Sequence, residues 1–182
     1  MVLVLKKLTI VLLIMSLLVV FVGCPDNESG GRKRKPIKLG QSETPDFTAK
    51  TIKGETITLS DYIGKKAVIV DLWATWCPPC QAEMPILQSL YDKYSDKLEI
   101  IAVSQDGPGD QPKIEKFVRD KNITFKIVHD ISRDISRKFP STAIPFLTLI
   151  GKDGKIIKTF RGFKPGIASE IEQALNLSDE SK

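Results

Sequence analysis

Apolar positions along the chain change spacing repeatedly, and each change predicts an element. Residues 8–22, LTIVLLIMSLLVVFV, are apolar almost without interruption, whereas residues 25–44, PDNESGGRKRKPIKLGQSET, contain almost nothing apolar. From Pro45 the pattern becomes that of a folded domain. DFTAKTIKGETITLSDY alternates apolar and polar positions about Lys53-Gly54, which predicts a hairpin. KKAVIVDLWA is a short β-branched apolar run and predicts a buried strand. Between Pro78 and Tyr94, the residues Ala82, Ile86, Leu87, Leu90 and Tyr94 recur at helical spacing. KLEIIAVSQ predicts a second buried strand, DGPGDQP a loop, Ile114 to Lys121 a helix, and ITFKIVHD a strand. A short helix is expected near Ser132 to Lys138. IPFLTLIG and KIIKTFRG flank Lys152-Asp153-Gly154 as a second hairpin. Pro165 is expected to open a last helix, with Ile167, Ile171, Ala174 and Leu175 on one face. There are no internal repeats.

Strands that alternate with helices imply parallel crossovers, and the closing hairpin adds an antiparallel strand. The expected class is therefore α/β with a mixed central sheet and an N-terminal β-hairpin. The chain divides into 1–23, a signal peptide or membrane anchor; 24–44, a flexible tether; 45–177, the folded domain; and 178–182, a tail.

Charge sharpens this division. The net charge of +5 consists of +2 from Lys6 and Lys7, +3 from residues 24–40, and zero from residue 41 onward, where basic and acidic residues balance. A nucleic-acid-binding domain carries its basic patch on the fold, so that class is set aside. Apolar content of 42% supports a real core, and three cysteines are too few for a disulfide scaffold.

Lys6 and Lys7 followed by an apolar run have the form of an export signal. As a helix, Leu8 to Val22 would span roughly 22 Å, short of the ~30 Å hydrocarbon core. Cys24 follows Gly23 directly, which resembles a lipoprotein box whose cysteine is acylated; the alternative is a plain cysteine at the end of an anchor. Either arrangement tethers the domain on the outer face of a cytoplasmic membrane, because the basic flank stays inside. The tether cannot bury enough apolar surface to offset its ordering entropy.

The candidate chemistry lies in DLWATWCPPCQAEMP, Asp71 to Pro85. Haem attachment requires a histidine after the second cysteine, and that position is Gln81. Structural zinc requires four ligands, and beyond Cys77 and Cys80 the domain offers only the remote His129. A purely structural disulfide over so short a loop constrains little of the unfolded chain. A redox pair fits. Cys77 stands where a strand ends and a helix begins, so the positive end of the helix favours its thiolate and lowers its pKa toward ~7 or below. Pro78 and Pro79 lack N–H groups and suit a first helical turn. The Cys80 N–H is then the local donor to the Cys77 sulfur. Cys77 is expected at the exposed tip as nucleophile, and Cys80 one turn deeper as resolving thiol.

VIVDLWATWCPPCQAEMP with the later IPFLTLIGKDGKI resembles the thioredoxin superfamily, and within it the membrane-tethered TlpA/ResA-like branch, over about Pro45 to Leu175. The resemblance implies a thioredoxin-like three-layer α/β/α sandwich. It implies reduction of disulfides outside the cytoplasm, with protein thiols such as those of apocytochrome c as partners and a membrane electron donor. No cofactor is implied, and a monomer is expected. Asp71 takes the place of the buried acid that assists proton transfer at the inner thiol. Glu83 matches a carboxylate of this branch, three residues after Cys80 and on the same helix face. Pro145 matches the cis-proline facing the cysteines, where the Ile144 backbone pairs with a bound peptide. Phe146 departs from the polar residue many relatives carry after that proline. Trp76 offers a flat docking surface beside Pro78 and Pro79, Trp73 belongs to the core, and Pro85 is expected to kink its helix. His129 is read as structural. Two other functions remain open. One is a Cu(I) carrier for oxidase assembly on the same scaffold, because soft thiolates suit Cu(I); such a site usually adds a nearby His or Met, whereas His129, the only histidine, is remote and Met84, adjacent to the site, is read as core. The other is a surface lipoprotein that kept the fold without the activity.

Overall fold

A computed structural model of the protein describes residues 44–177. The expected hairpin forms from β1 (Thr48–Lys50) and β2 (Thr56–Thr58), antiparallel to one another. Gly54 closes it at φ 85°, a left-handed conformation that a side chain would oppose. The hairpin leans on the main sheet through a bridge from Thr51 to Val128 and a bond from Ile52 N–H to the Ile127 carbonyl at 2.9 Å.

The main sheet contains β3 (Ala67–Trp73), β4 (Leu98–Ser104), β5 (Lys126–His129), β6 (Phe146–Ile150) and β7 (Ile156–Arg161), in the order β5-β4-β3-β6-β7. The pairs β3–β4 and β4–β5 are parallel, and β3–β6 and β6–β7 are antiparallel. The two parallel steps are bridged by α1 (Pro78–Tyr94) and α2 (Gln111–Asp120), and α3 (Ile167–Ala174) follows β7. Both crossovers run the same way along the sheet, so a right-handed connection puts both helices on one face. Accordingly α1, α2 and α3 share one apolar cluster with Ile69, Trp73, Ile100, Leu147 and Leu149. Val68, Val70, Leu72, Ile101 and Phe146 face the other way, into a second cluster with Phe47, Ile57, Leu59, Ile135 and Phe139. That second outer layer is built from the hairpin, the 3-10 turns Leu59–Asp61 and Ser136–Lys138, and the connecting chain. The short helix expected near Ser132 to Lys138 is only this last turn.

Two helix starts differ from the sequence reading. α2 begins at Gln111, because Pro112 fits the first turn, where its missing N–H costs nothing. α3 begins at Ile167, after Gly166 turns the chain at φ 87°. The buried side of α1 is also rotated from the expected one. Ala82 is exposed and Ile86 half-buried, whereas Cys80, Glu83, Met84, Leu87, Gln88, Leu90 and Tyr94 are buried. Two polar residues therefore lie where periodicity of apolar residues cannot find them. Gln88 meets its partners: its Oε1 accepts from Thr124 N–H at 2.8 Å, and its Nε2 donates to Thr124 Oγ1 and Asp92 Oδ1. Pro85 lies on the exposed side and α1 runs on through it, so the carbonyl left without a donor faces water.

Leu87 has no exposed surface and packs in the helical-face cluster. Leu87→Ala is expected to cost about 2–5 kcal/mol, read as a lower urea midpoint with unchanged slope.

Candidate active site

The buried strand β3 carries the chain to Trp73, and after four intervening residues α1 starts at Pro78. The turn is closed by Cys77 N–H on the Ala74 carbonyl at 3.2 Å. Cys77 is the N-cap, with extended backbone at φ −99° and ψ 103°, and its sulfur accepts from Cys80 N–H at 3.3 Å. Pro78 and Pro79 occupy the first helical turn. Cys77 and Cys80 are joined as a disulfide with Cα atoms 5.3 Å apart.

Cys77 is far less exposed than the sequence reading placed it, at 4% against 1% for Cys80. With its sulfur turned inward to Cys80, the open surface comes from its neighbours. Trp76 is 63% exposed, and Pro78 and Pro79 are exposed beside it. Trp73 is fully buried and stacks obliquely on Phe117, ring centres 5.2 Å apart.

The Ile144–Pro145 peptide is cis. Ile144 packs half-buried against the cluster that holds both cysteines, and the Pro145 carbonyl accepts from Gly162 N–H at 2.9 Å. Phe146 turns to the opposite core, under the Arg161 guanidinium 5.4 Å from its ring centre.

Two carboxyl groups lie in the same apolar surroundings. Asp71, in mid-strand on β3, is 1% exposed, and Glu83, one turn beyond Cys80, is also 1% exposed. Neither Asp71 Oδ1 nor Glu83 Oε2 has a hydrogen-bond partner in the protein. Loss of water around Glu83 pushes its pKa up to about 7. Asp71 is held well above the ordinary carboxylate range, first by burial and then by the charge of Glu83. The pair can therefore take and return a proton near neutral pH.

His129 stands at the end of β5, across β4 from β3, with Nε2 3.2 Å from the Asp106 carbonyl. Met84 is fully buried. Among the described residues no three of His, Cys, Asp and Glu gather as a metal site. Cys24 and the apolar run lie outside the described residues.

Sequence reasoning missed Asp106. It is 1% exposed, and its carboxylate accepts from Thr75 N–H at 3.0 Å, Thr75 Oγ1 at 2.5 Å and Ser104 Oγ at 2.6 Å. Gln81 Nε2 holds the Thr75 carbonyl from the other side at 2.5 Å. Only the parallel pairing of β3 with β4 brings residues 75 and 106 together, and no local pattern announces it.

Residues 41–159 match the AhpC/TSA family. The chain is 34% identical over 131 residues to the thiol-disulfide oxidoreductase ResA of Bacillus thuringiensis subsp. konkukian, covering 71% of this chain and 73% of that protein. It is 34% identical to the thioredoxin-like protein YneN of Bacillus subtilis over 94% of this chain and 98% of that one. Among solved structures, StoA from Bacillus subtilis superposes with a TM-score of 0.60 at 31% identity, over 72% of this chain and 96% of StoA. A thiol:disulfide interchange protein DsbE from Chlorobium tepidum reaches 0.68 at 27% identity, over 76% and 95%. With a bonded Cys-Pro-Pro-Cys at a helix start on a thioredoxin-like sheet, the chain belongs to the AhpC/TSA family and is a thiol-disulfide oxidoreductase of the ResA, StoA and DsbE type.

Proposed function

We propose that the protein is a membrane-tethered reductant of disulfides in exported proteins, apocytochrome c among them, working on the outer face of the cytoplasmic membrane. The tether is residues 24–44, anchored by acylated Cys24 or by the uncleaved apolar run. The observation that carries the catalytic assignment is the pairing of a helix-capping sulfur with an inner sulfur whose helix neighbour, Glu83, titrates near neutrality.

In the reduced protein, the Cys77 thiolate attacks one sulfur of the substrate disulfide. A bond forms between Cys77 and that sulfur, and the other substrate sulfur leaves as a thiolate. The Cys80 thiol gives its proton to the Glu83–Asp71 pair and attacks Cys77, releasing the second substrate thiolate. Two electrons have passed to the substrate, and the Cys77–Cys80 disulfide remains. Trp76, Pro78 and Pro79 offer the substrate a flat surface, and the Ile144 backbone before Pro145 pairs with its chain. A dithiol donor in the membrane restores the reduced pair.

Redox titration of the Cys77–Cys80 couple tests the direction. A reductant is expected toward about −270 mV, whereas a value near about −120 mV would make the protein an oxidant and reject the reading. Cu(I) titration of the reduced protein separates the carrier from the enzyme. Tight stoichiometric copper together with inactivity toward a protein disulfide would favour the carrier.

A further inference from the structure

We propose that Asp106 is a positioning residue for disulfide exchange, fixing the turn Thr75–Trp76 so that the Trp76 ring stands as a rigid docking surface for a protein disulfide beside Cys77. The inference rests on the assignment of Cys77 as the attacking sulfur.

The turn between β3 and α1 is short of backbone bonds of its own. Cys77 N–H reaches Ala74, but Thr75 N–H finds its partner only in the Asp106 carboxylate. The half-buried threonine gives both its donors to this one carboxylate, its N–H shared between the two oxygens and its hydroxyl on Oδ1. The carboxylate itself is anchored. Ser104 Oγ donates to it at 2.6 Å and accepts from Asp106 N–H at 3.1 Å, and His129 Nε2 meets the Asp106 carbonyl. The next residue back, Gln105, bonds Trp73 through its N–H at 2.7 Å and holds an Arg133 Nη2 on its carbonyl. Asp106 thus transmits the rigidity of β3, β4 and β5 to Thr75. The residue after Thr75 is Trp76, 63% exposed, so the placing of its ring depends largely on the backbone that carries it. Bonds to a carboxylate are the strong ones, so Asp106 and Gln81 hold the backbone on the Thr75 side of Trp76, as the Cys77 N–H on Ala74 holds it on the other.

A restraint of this kind acts on docking more than on chemistry. A protein disulfide must bring its backbone and both sulfurs into register with Trp76 and Ile144, whereas a small aromatic disulfide needs only the Cys77 sulfur. Loosening the turn forfeits preorganisation, and misplacement of about an ångström can cost up to a hundredfold.

The test compares Asp106→Ala, Asp106→Asn and Thr75→Val in the full-length protein, with insulin and a small aromatic disulfide as substrates. Asp106→Ala is expected to raise KM for insulin about tenfold while changing the small-disulfide rate less than about threefold. Asp106→Asn keeps an acceptor for Thr75 N–H and should recover part of the loss. Thr75→Val removes one bond from the outside without orphaning Asp106, and it carries the test if Asp106→Ala fails to fold. In these variants the amide order parameter of Trp76 should fall from about 0.85 toward 0.6. Unchanged insulin KM with a rigid Trp76 amide, or equal slowing of both substrates, overturns the inference. Cys77→Ser runs alongside. If it is inactive while the Asp106 and Thr75 variants match wild type, only the positioning role fails; if Cys77→Ser retains turnover, both assignments fall.

Discussion

Cys77→Ser should lower turnover of a protein disulfide to background, while Cys80→Ser should leave one covalent half-reaction. The asymmetry follows from the helix start. The Cys77 sulfur sits at the N-terminus of α1, accepts the Cys80 N–H and lies beside the exposed Trp76. The positive end of the helix favours a sulfur anion there, and a serine hydroxyl at the same place stays protonated. Cys80 is one turn deeper, 1% exposed against 4% for Cys77, in the apolar cluster that also holds Trp73, Met84 and Leu147. In Cys80→Ser the attack by Cys77 still occurs, but nothing resolves the product. Mass spectrometry of that variant with one equivalent of a disulfide substrate should show a mixed adduct on Cys77, released by dithiothreitol. An adduct on Cys80 in Cys77→Ser, with retained turnover, would reverse the roles.

Much of this arrangement was legible along the chain, and the reasons are physical. β3 and β4 are buried on both faces, so their runs are predominantly apolar, broken only by Asp71 in β3 and by Glu99 and the terminal Ser104 in β4, and still read as buried strands. The prolines at 78 and 79 fix the start of α1, because only a first turn tolerates them together. The buried side of α1 was legible only in part. Glu83 and Gln88 are polar, yet both are buried, and Ala82 is exposed. Hydrophobic spacing sees none of these. For Gln88 the burial is explained by Thr124, thirty-six residues away, which no local pattern announces. The same holds for Asp106, whose partner Thr75 is thirty-one residues back across a parallel pairing. The near closure of Cys77 escaped the sequence reading because a helix-tip position says nothing about which way a bonded sulfur turns.

Glu83 is expected to show opposite effects on stability and rate. Its carboxyl is 1% exposed with one oxygen unpartnered, and its pKa rises from 4.5 to about 7. Below about pH 4.5 the group is protonated whether the chain is folded or not, and it costs nothing. Between about 4.5 and 7 the native state keeps a proton that the unfolded chain has lost, so stability falls as pH rises. Above about 7 the whole penalty is present, on the order of 3 kcal/mol. Glu83→Gln removes that charge. It should raise the urea midpoint at pH 8 and leave it nearly unchanged at pH 4, with part of the gain offset by burying an amide. The rate should move the other way. If Glu83 takes the proton of the inner thiol, exchange near pH 7 should slow by about a hundredfold. The wild-type inflection near pH 7 should also disappear from the pH–rate profile. Asp71 separates the two acids. If Asp71 rather than Glu83 takes the Cys80 proton, Asp71→Asn will reproduce the slow rate while Glu83→Gln keeps both the rate and the inflection. Removing the Asp71 carboxyl takes away only a neighbour of Glu83, because the main cause of the Glu83 shift is burial. The inflection therefore survives in Asp71→Asn if Glu83 is the base. A stability that rises with pH across 4.5 to 7 in wild type but not in Glu83→Gln would contradict a penalty that grows as the buried carboxyl ionises.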